Sequence, residues 1–294
     1  MSGPARQFVK GGTVKQLTLL IFLSTFIGCS TEVHEWNVLY PSRATPLPND
    51  SLCFQKLKGT NTAFLCEPGT TLRGIYLANP EANCTIIYFY GNAGKLLDQQ
   101  IRFTLDSLSL ALNANIISFD YRGYGYSDGD ASLSAILHDG LKIYDFVREN
   151  WPTDTPIYLF GRSIGTGPAM YIASQRPCRG IILQSPFTSA AEAIPMWSGI
   201  IPWYLRLFIS LKADSTLTNF KPQPIDLASS VTVPTLIIHG SKDELFSPKL
   251  GRKLFDHIAS SDKAFFEVPS FGHNDLYPHR SPVVDTIRSF LMKN

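Results

Sequence analysis

The stretch Gly161-Arg-Ser-Ile-Gly165 follows the apolar run Ile157-Tyr-Leu-Phe160 directly. The residues after it, 164–175, have helical character, so the pentapeptide joins a predicted strand to a predicted helix. A serine between two glycines at such a joint is typical of a nucleophile elbow. The serine lies in a strained turn, and the glycines allow the strand and the helix to approach closely. We therefore predict that Ser163 presents its hydroxyl as a nucleophile.

Strand-like and helix-like stretches alternate from about Leu72 onward. Apolar, β-branched runs are typical of parallel strands buried on both faces, and the alternation predicts a mostly parallel sheet with helices on both sides. Active sites of such sheets lie beyond the carboxyl ends of the strands. The predicted strands are Gly74–Ala78, Thr85–Tyr90, Asn115–Phe119, Pro156–Phe160, Gly180–Gln184, Thr235–His239 and Phe265–Val268. The predicted helices are Gly94–Leu112, Ser132–Asn150, Ile164–Gln175, Pro248–Ala259 and Pro282–Met292.

One long segment interrupts this rhythm between Ser185 and Thr235. Its apolar part, 194–211, contains Trp197 and Trp203. Long insertions in compact domains are usually functional. We expect a small helical cap over the site, inserted at about 187–232, that supplies an apolar wall. The alternative is a helix packed on the sheet without substrate contact.

A serine nucleophile needs a base within hydrogen-bond reach, and the base needs an orienting acid. His273 lies in a polar loop after the last predicted strand and is the preferred base, with His279 as its rival. Asp243 follows the penultimate strand and is the preferred acid, although Glu244 is adjacent. The order Ser163, Asp243, His273 is that of α/β-hydrolases.

An oxyanion hole requires two inward-pointing main-chain N–H groups. One is expected from Ile164, the residue after the serine. The other is expected from the loop Tyr90-Gly-Asn-Ala-Gly94, where Asn92 is the first choice and Ala93 the second. A plain strand-to-helix turn is the alternative for this loop.

These motifs together resemble one branch of the α/β-hydrolase superfamily, the serine-hydrolase branch with bud-emergence-type hydrolases and depalmitoylating thioesterases. The resemblance runs from about Leu72 to the C-terminus and implies an α/β-hydrolase fold. Tyr90 stands where the family usually has His, and Gly167-Pro168 falls where relatives carry ordinary helix formers. Asp120 is expected to brace the loop near the site. The matching motifs are Tyr90-Gly-Asn-Ala-Gly94, Asp120-Tyr-Arg-Gly-Tyr-Gly125 with Ser127, Gly161-Arg-Ser-Ile-Gly165, His239-Gly-Ser-Lys-Asp243 and Gly272-His273.

The predicted function is hydrolysis of a carboxylic ester or thioester through an acyl-enzyme on Ser163. The same triad could serve a peptidase, an amidase or an acyltransferase, and an inactive binding protein of this fold is a further alternative. The predicted substrate is a small acyl ester or a lipid-like molecule. No cofactor is expected, and Cys/His spacing typical of zinc is absent. The net charge of +2 includes no basic cluster for nucleic acid.

The N-terminus reads as a targeting segment. Basic residues precede the apolar stretch 17–28, which has the length of a signal-peptide core. Ile27-Gly28-Cys29 resembles a bacterial lipobox, which predicts a lipid anchor at Cys29 and an exported, outer-membrane protein facing the periplasm. A plain secretion signal and an uncleaved anchor are the alternatives. The predicted division is 1–28 signal peptide, 29–70 tether and N-terminal hairpin, and 71–294 hydrolase domain.

Four further cysteines follow Cys29, and an exported chain lives where disulfides form. Cys53 and Cys66 flank Lys58-Gly-Thr-Asn61, which could be a hairpin turn that brings them together. The pairing among Cys53, Cys66, Cys84 and Cys178 stays open, and buried free thiols are an equal alternative.

Overall fold

The computed structural model describes residues 29–44, 57, 59–151, 155–202, 204–206 and 209–294. The predicted signal peptide, Cys53 and Trp203 lie outside these residues. In chain order the strands are β1 (Cys29–Val33), β2 (Gly59–Glu67), β3 (Thr70–Leu77), β4 (Cys84–Phe89), β5 (Ala114–Phe119), β6 (Ile157–Arg162), β7 (Gly180–Gln184), β8 (Ile209–Ala213), β9 (Thr235–Gly240) and β10 (Lys263–Val268).

Eight of these strands form the central sheet, in the order β10-β9-β7-β6-β4-β5-β3-β2. β3 runs antiparallel to its neighbours β2 and β5, and the other neighbouring strands are parallel. Ile86 and Leu159, from the central strands β4 and β6, have no exposed surface. The mostly parallel sheet predicted from the apolar runs is thus confirmed, with strand ends displaced by a few residues.

Helices cover both faces of the sheet, as predicted. The N-terminus of the helix Leu133–Asn150 is capped by Ser132, whose side chain accepts a hydrogen bond from the Ala135 N–H. The helices in chain order are α1 (Glu35–Val38), α2 (Gln99–Leu112), α3 (Leu133–Asn150), α4 (Thr166–Ala173), α5 (Ala190–Met196), α6 (Ser215–Asn219), α7 (Pro224–Leu227), α8 (Pro248–His257) and α9 (Val283–Lys293).

The hairpin turn predicted at residues 58–61 is wrong. Gly59, Thr60 and Asn61 lie inside β2, which pairs with β3 through a turn at Gly69. Gly69 has a φ of 80°, a value that glycine adopts without strain. The turn that joins β2 to β3 is therefore at Pro68-Gly69 and not at residues 58–61.

Three of the cysteines are buried or half-buried free thiols. Cys66 donates to the Asp139 carboxylate at 3.1 Å, and Cys84 and Cys178 also have no disulfide partner. Burial, together with the neighbouring Asp139 carboxylate, raises the pKa of Cys66 to about 12. Of the two alternatives for these three residues, the structure thus has free thiols.

Residues 29–44, which we name the N-terminal strap, are docked on the domain although a tether is predicted there. β1 pairs in parallel with β8, far along the chain. His34 Nδ1 is hydrogen-bonded to the Asp214 carboxylate. Near the end of the strap, Ser42 O accepts a hydrogen bond from the Gly125 N–H at 2.9 Å. The strap's polar main chain finds its partners in distant residues, which a local sequence pattern does not reveal.

The insertion after β7 forms a cap that is only partly helical. Helix α5 continues into a 3₁₀ turn over Trp197–Ile200, and the chain then enters strand β8 rather than a longer helix. Val33 of the strap packs with Ile194, Ile201, Leu211 and Leu217 in a small apolar cluster of its own. The cap therefore has a core separate from that of the sheet, and the strap completes it.

The backbone is tightly packed around the elbow at the end of β6. A Cβ at position 161 would lie 2.3 Å from Gly165 O, and one at position 165 would lie 2.2 Å from Phe89 O. Real Cβ atoms do not come so close to backbone oxygens, so both positions require glycine. By contrast, a Cβ on Gly167 would meet only the end of the Leu137 side chain, at 3.4 Å.

We expect Gly165→Ala to lower the free energy of unfolding by about 2–4 kcal/mol, because β4 or β6 must shift to make room. The matched control is Gly167→Ala, which should leave stability unchanged or raise it by up to about 1 kcal/mol through better helix propensity. Urea unfolding of both variants measures the difference. Equal midpoints for the two would contradict the elbow geometry.

Candidate active site

Ser163 lies at the carboxyl end of the central strand β6. Its φ is 54°, in the left-handed region that non-glycine residues seldom adopt, and a 3₁₀ turn over Ser163–Gly165 leads into α4. Strain of this kind costs about 1–3 kcal/mol and is kept where it serves a function. The turn directs the hydroxyl away from the sheet, as the sequence motif predicts.

His273 is the histidine that reaches Ser163. Its Nε2 lies 3.0 Å from Ser163 Oγ, and its Nδ1 lies 2.8 Å from Asp243 Oδ2. The rival His279 instead stacks edge-on against Phe103. The three residues form one hydrogen-bonded relay across the ends of β6, β9 and β10, which is the arrangement that activates a serine hydroxyl.

The Asp243 side chain is buried, and its two oxygens have different partners. Oδ1 accepts hydrogen bonds from the N–H groups of Leu245 at 3.0 Å and Phe246 at 2.8 Å, while Oδ2 faces the histidines. Burial on its own would raise the pKa of Asp243, but hydrogen bonds from His239 and His273 together hold it well below its ordinary value. The carboxylate is thus ionised and fixed in orientation. The adjacent Glu244 accepts from the His273 main-chain N–H, at 3.4 Å, and does not touch the ring.

His239 is a fully buried second histidine beside the acid, and it was not among the residues predicted for the site. Its Nε2 lies 2.7 Å from Phe246 O and 3.3 Å from Asp243 Oδ2. Both neighbours are acceptors, so Nε2 carries the proton. The signal available in the sequence was position, because His239 ends the strand that leads into Asp243.

The Asn92 side chain holds its loop through four hydrogen bonds. Its Oδ1 accepts from the Ala93 N–H at 2.9 Å, from the Tyr40 N–H at 3.1 Å and from the Tyr124 hydroxyl at 2.8 Å, and its Nδ2 donates to Val38 O. Since the Ala93 N–H is engaged in this way, Asn92 is the better of the two predicted oxyanion donors. The strap residues Val38 and Tyr40 thereby help to hold the loop.

Tyr90 and Asp120 fix both ends of the same loop. The Tyr90 hydroxyl donates to Asp120 Oδ1 at 2.9 Å, and the Leu96 N–H donates to the same oxygen at 2.8 Å. The Tyr121 hydroxyl donates to Tyr90 O at 2.6 Å. Burial raises the pKa of Asp120, although these donors and the Tyr126 N–H oppose the shift. Asp120 contacts the loop and not the relay, in agreement with the bracing role expected for it.

A cavity of about 750 Å³ opens above the relay. Its wall is apolar on the cap side. Among the described lining residues, Arg162 is the only one of the types Lys, Arg, Asp and Glu, and it donates a hydrogen bond to His273 O at 3.2 Å. A larger cavity of about 880 Å³ lies at the amino ends of the strands, far from Ser163. Apolar residues that line the first cavity include Val38, Leu133, Ile136, Phe187, Ile194, Trp197, Ile201, Leu205, Leu217, Phe220 and Phe246.

Within the described parts of the chain, no group of His, Cys, Asp and Glu side chains is placed to hold a metal ion. None of the helices described there has the length and apolar character needed to cross a bilayer.

The sheet order, the strained serine and the relay define an α/β-hydrolase. The sequence profile of the family described as serine aminopeptidase, S33 (Hydrolase_4) matches residues 110–224 and 209–277, together more than half of the chain. The chain belongs to this family and is a hydrolase of the α/β-hydrolase superfamily.

Relatives and solved structures agree with this assignment. The chain is 30% identical to an uncharacterized protein of Mycobacterium tuberculosis over 86% of its own length and 85% of that protein. It is 31% identical to the lysophosphatidylserine lipase ABHD12 of Xenopus tropicalis, but spans only 57% of that relative. The Pyrococcus furiosus esterase Pf2001 shares the fold, with a TM-score of 0.66 and 16% identity over 87% of this chain and 97% of the esterase.

We expect Tyr90→Phe to lower the free energy of unfolding by about 1.5–3 kcal/mol, because the buried Asp120 carboxylate loses a donor. The oxyanion loop should also become less well fixed, so that the rate of Ser163 labelling by a fluorophosphonate falls. Tyr76→Phe, on β3 and outside this network, is the control. Unchanged stability and labelling in Tyr90→Phe would show that Tyr90 does not hold the loop.

Proposed function

We propose that this protein hydrolyses carboxylic esters, or thioesters, through an acyl-enzyme on Ser163. The observation that carries the proposal is the relay, with His273 Nε2 at 3.0 Å from Ser163 Oγ and Nδ1 at 2.8 Å from Asp243 Oδ2. Both distances are in the range needed for proton transfer and for orientation of the ring.

In the proposed mechanism, His273 takes the proton of Ser163 as the hydroxyl attacks the acyl carbonyl. The ionised Asp243 stabilises the imidazolium that forms. The main-chain N–H groups of Ile164 and Asn92 would bind the oxyanion, and His273 would then return the proton to the leaving alcohol. A water activated by the same ring releases the acid and restores the serine.

The cavity supports an acyl ester with an apolar chain as substrate. Its wall is built of aliphatic and aromatic residues of the cap and the strap. An apolar acyl chain would bind there favourably, because its surface and that of the wall are removed from water. The name of the relative ABHD12, a lysophosphatidylserine lipase, points to the same class of amphiphilic ester.

The aminopeptidase in the family's description has less support from this cavity. An aminopeptidase must bind the ammonium group of a free N-terminus, for which a carboxylate is the usual partner. The described lining residues include no Asp or Glu, and the charged side chain among them, Arg162, is itself a cation. An uncharged acyl group suits this wall better than an ammonium does.

We further propose that residues 1–28 direct the chain to the cell envelope and that a lipid on Cys29 holds it there. The support is the sequence pattern, basic residues followed by the apolar stretch 17–28 and then cysteine. The protein would be an outer-membrane lipoprotein that faces the periplasm.

We expect Ser163→Ala to lower kcat for a p-nitrophenyl acyl ester by several orders of magnitude, with thermal stability nearly unchanged. A fluorophosphonate probe should label the native protein and not the variant. Ser174→Ala, which removes a serine hydroxyl at the end of α4, serves as the control and should retain both labelling and turnover. Full turnover in Ser163→Ala would eliminate the proposed mechanism.

Intact-mass analysis of protein purified from a bacterial membrane fraction tests the anchor. We expect the mass of a chain that begins at Cys29 and carries added acyl chains, and Cys29→Ala should abolish this modification. A chain that begins at another residue, or an unmodified Cys29, would contradict the lipoprotein proposal.

A further inference from the structure

We propose that the N-terminal strap turns the mouth of the active-site cavity toward the membrane, so that the cap rim and Trp36 rest on a lipid surface and the acyl chain passes directly from the bilayer into the cavity. This inference rests on the ester hydrolysis and the membrane attachment proposed above, and it adds the orientation of the molecule.

The first observation is where the strap begins. The apolar stretch 17–28 ends at the residue before Cys29, and Cys29 is already part of β1, in register with Ile209 of the cap strand β8. A residue extends the chain by at most about 3.6 Å, so no spacer separates the apolar stretch from the cap. Whatever holds residues 17–28 or Cys29 at a membrane holds the edge of the cap there too.

The second observation is that the strap is fixed to the body of the protein at separate points. His34 binds the Asp214 carboxylate of the cap. Glu35 accepts the Leu133 N–H at the start of α3, at 2.5 Å. Asn92 of the oxyanion loop binds the main chain at Val38 and Tyr40. The strap therefore cannot act as a swivel, and attachment at its first residue sets one orientation of the whole domain.

The third observation is that the cavity mouth lies on this same side. Val38 and Tyr40 of the strap line the cavity together with Tyr204 of the cap. Tyr204 is 53% exposed, and a residue that both lines a cavity and reaches solvent marks its mouth. The mouth is therefore bounded by the strap and the cap. Cys29 belongs to the strap and pairs with the cap strand β8.

The strap and the cap each expose an aromatic residue that suits a membrane interface. In the strap this residue is Trp36, which lies two residues before the cavity-lining Val38, is 71% exposed and stacks on His34 with ring centroids 4.2 Å apart. Trp and Tyr are the side chains that favour the boundary between headgroups and acyl chains. Leu65 is similarly exposed, at 66%, but it lies on the edge strand β2 and outside the strap and the cap, so it provides a matched control.

The test uses the full chain bound to phosphatidylcholine vesicles. Turnover is measured on a long-chain monoacyl ester embedded in the vesicles and on a water-soluble butyrate ester. We expect Trp36→Glu to lower vesicle-ester turnover about tenfold, because a charge replaces the aromatic side chain that would insert into the lipid interface, and to leave butyrate turnover unchanged. Leu65→Glu should change neither. Trp36→Ser, which adds no charge, should give a smaller loss in the same direction.

A second readout locates Trp36 directly. Vesicles made with brominated phosphatidylcholine should quench more fluorescence in the native chain than in Trp36→Phe. Equal vesicle turnover in Trp36→Glu and Leu65→Glu, with no difference in quenching, would overturn the orientation. A loss of butyrate turnover in Trp36→Glu would also overturn it, because Trp36 would then act on the relay. A chain that does not sediment with vesicles removes the attachment on which the orientation rests, whereas a native chain inactive on butyrate refutes the proposed function separately.

Discussion

The site depends on close backbone packing at the elbow, where Gly161 of β6 meets the turn that leads into α4 and Gly165 of that turn meets Phe89 of β4. Any side chain at either position would meet backbone oxygen at little more than 2 Å, so the turn between strand and helix exists only with glycine. That turn forces Ser163 to a φ of 54° and places its hydroxyl beyond the carboxyl ends of the strands. Because β6 is central, the ends of β9 and β10 lie close enough for Asp243 and His273 to complete the relay.

Asp243 joins the chemistry of the site to the stability of the fold. Burial opposes its charge, and the donors around it more than compensate, so that its pKa in the folded chain is lowered. A carboxyl whose pKa is lower folded than unfolded contributes stability that is present above the unfolded value and is lost as pH falls through the folded one. The N–H groups of Leu245 and Phe246 thus fix the carboxylate that orients His273 and also stabilise their own loop.

The parts of the fold that the sequence could predict are those whose signal is local. The buried strands appear as apolar runs, and the elbow needs glycines at fixed spacing, so β4, β6 and Ser163 could be placed from short patterns. Asp243 and His273 followed from one further rule, that parallel strands end at one edge. The strand order in the fold then brings these three residues together.

The parts that could not be predicted depend on partners distant in the chain. β1 has a partner only because β8 lies beside it, and neither strand has an alternating pattern strong enough to show this alone. The turn expected at residues 58–61 failed for a related reason, since β2 is held by its pairing with β3 and not by local propensity. His239 was passed over because its role lies in a contact with Asp243 that only the folded loop creates.

The strap links these two kinds of information. Read locally, it lies in a stretch predicted as a tether, yet in the fold it supplies part of the cap core through Val33 and part of the cavity wall through Val38. It also binds the side chain of Asn92, whose main chain is the expected oxyanion donor. Displacing the strap would therefore expose the cap core, open the cavity wall and free the oxyanion loop at once, so docking of the strap on the domain and assembly of the active site are one structural event.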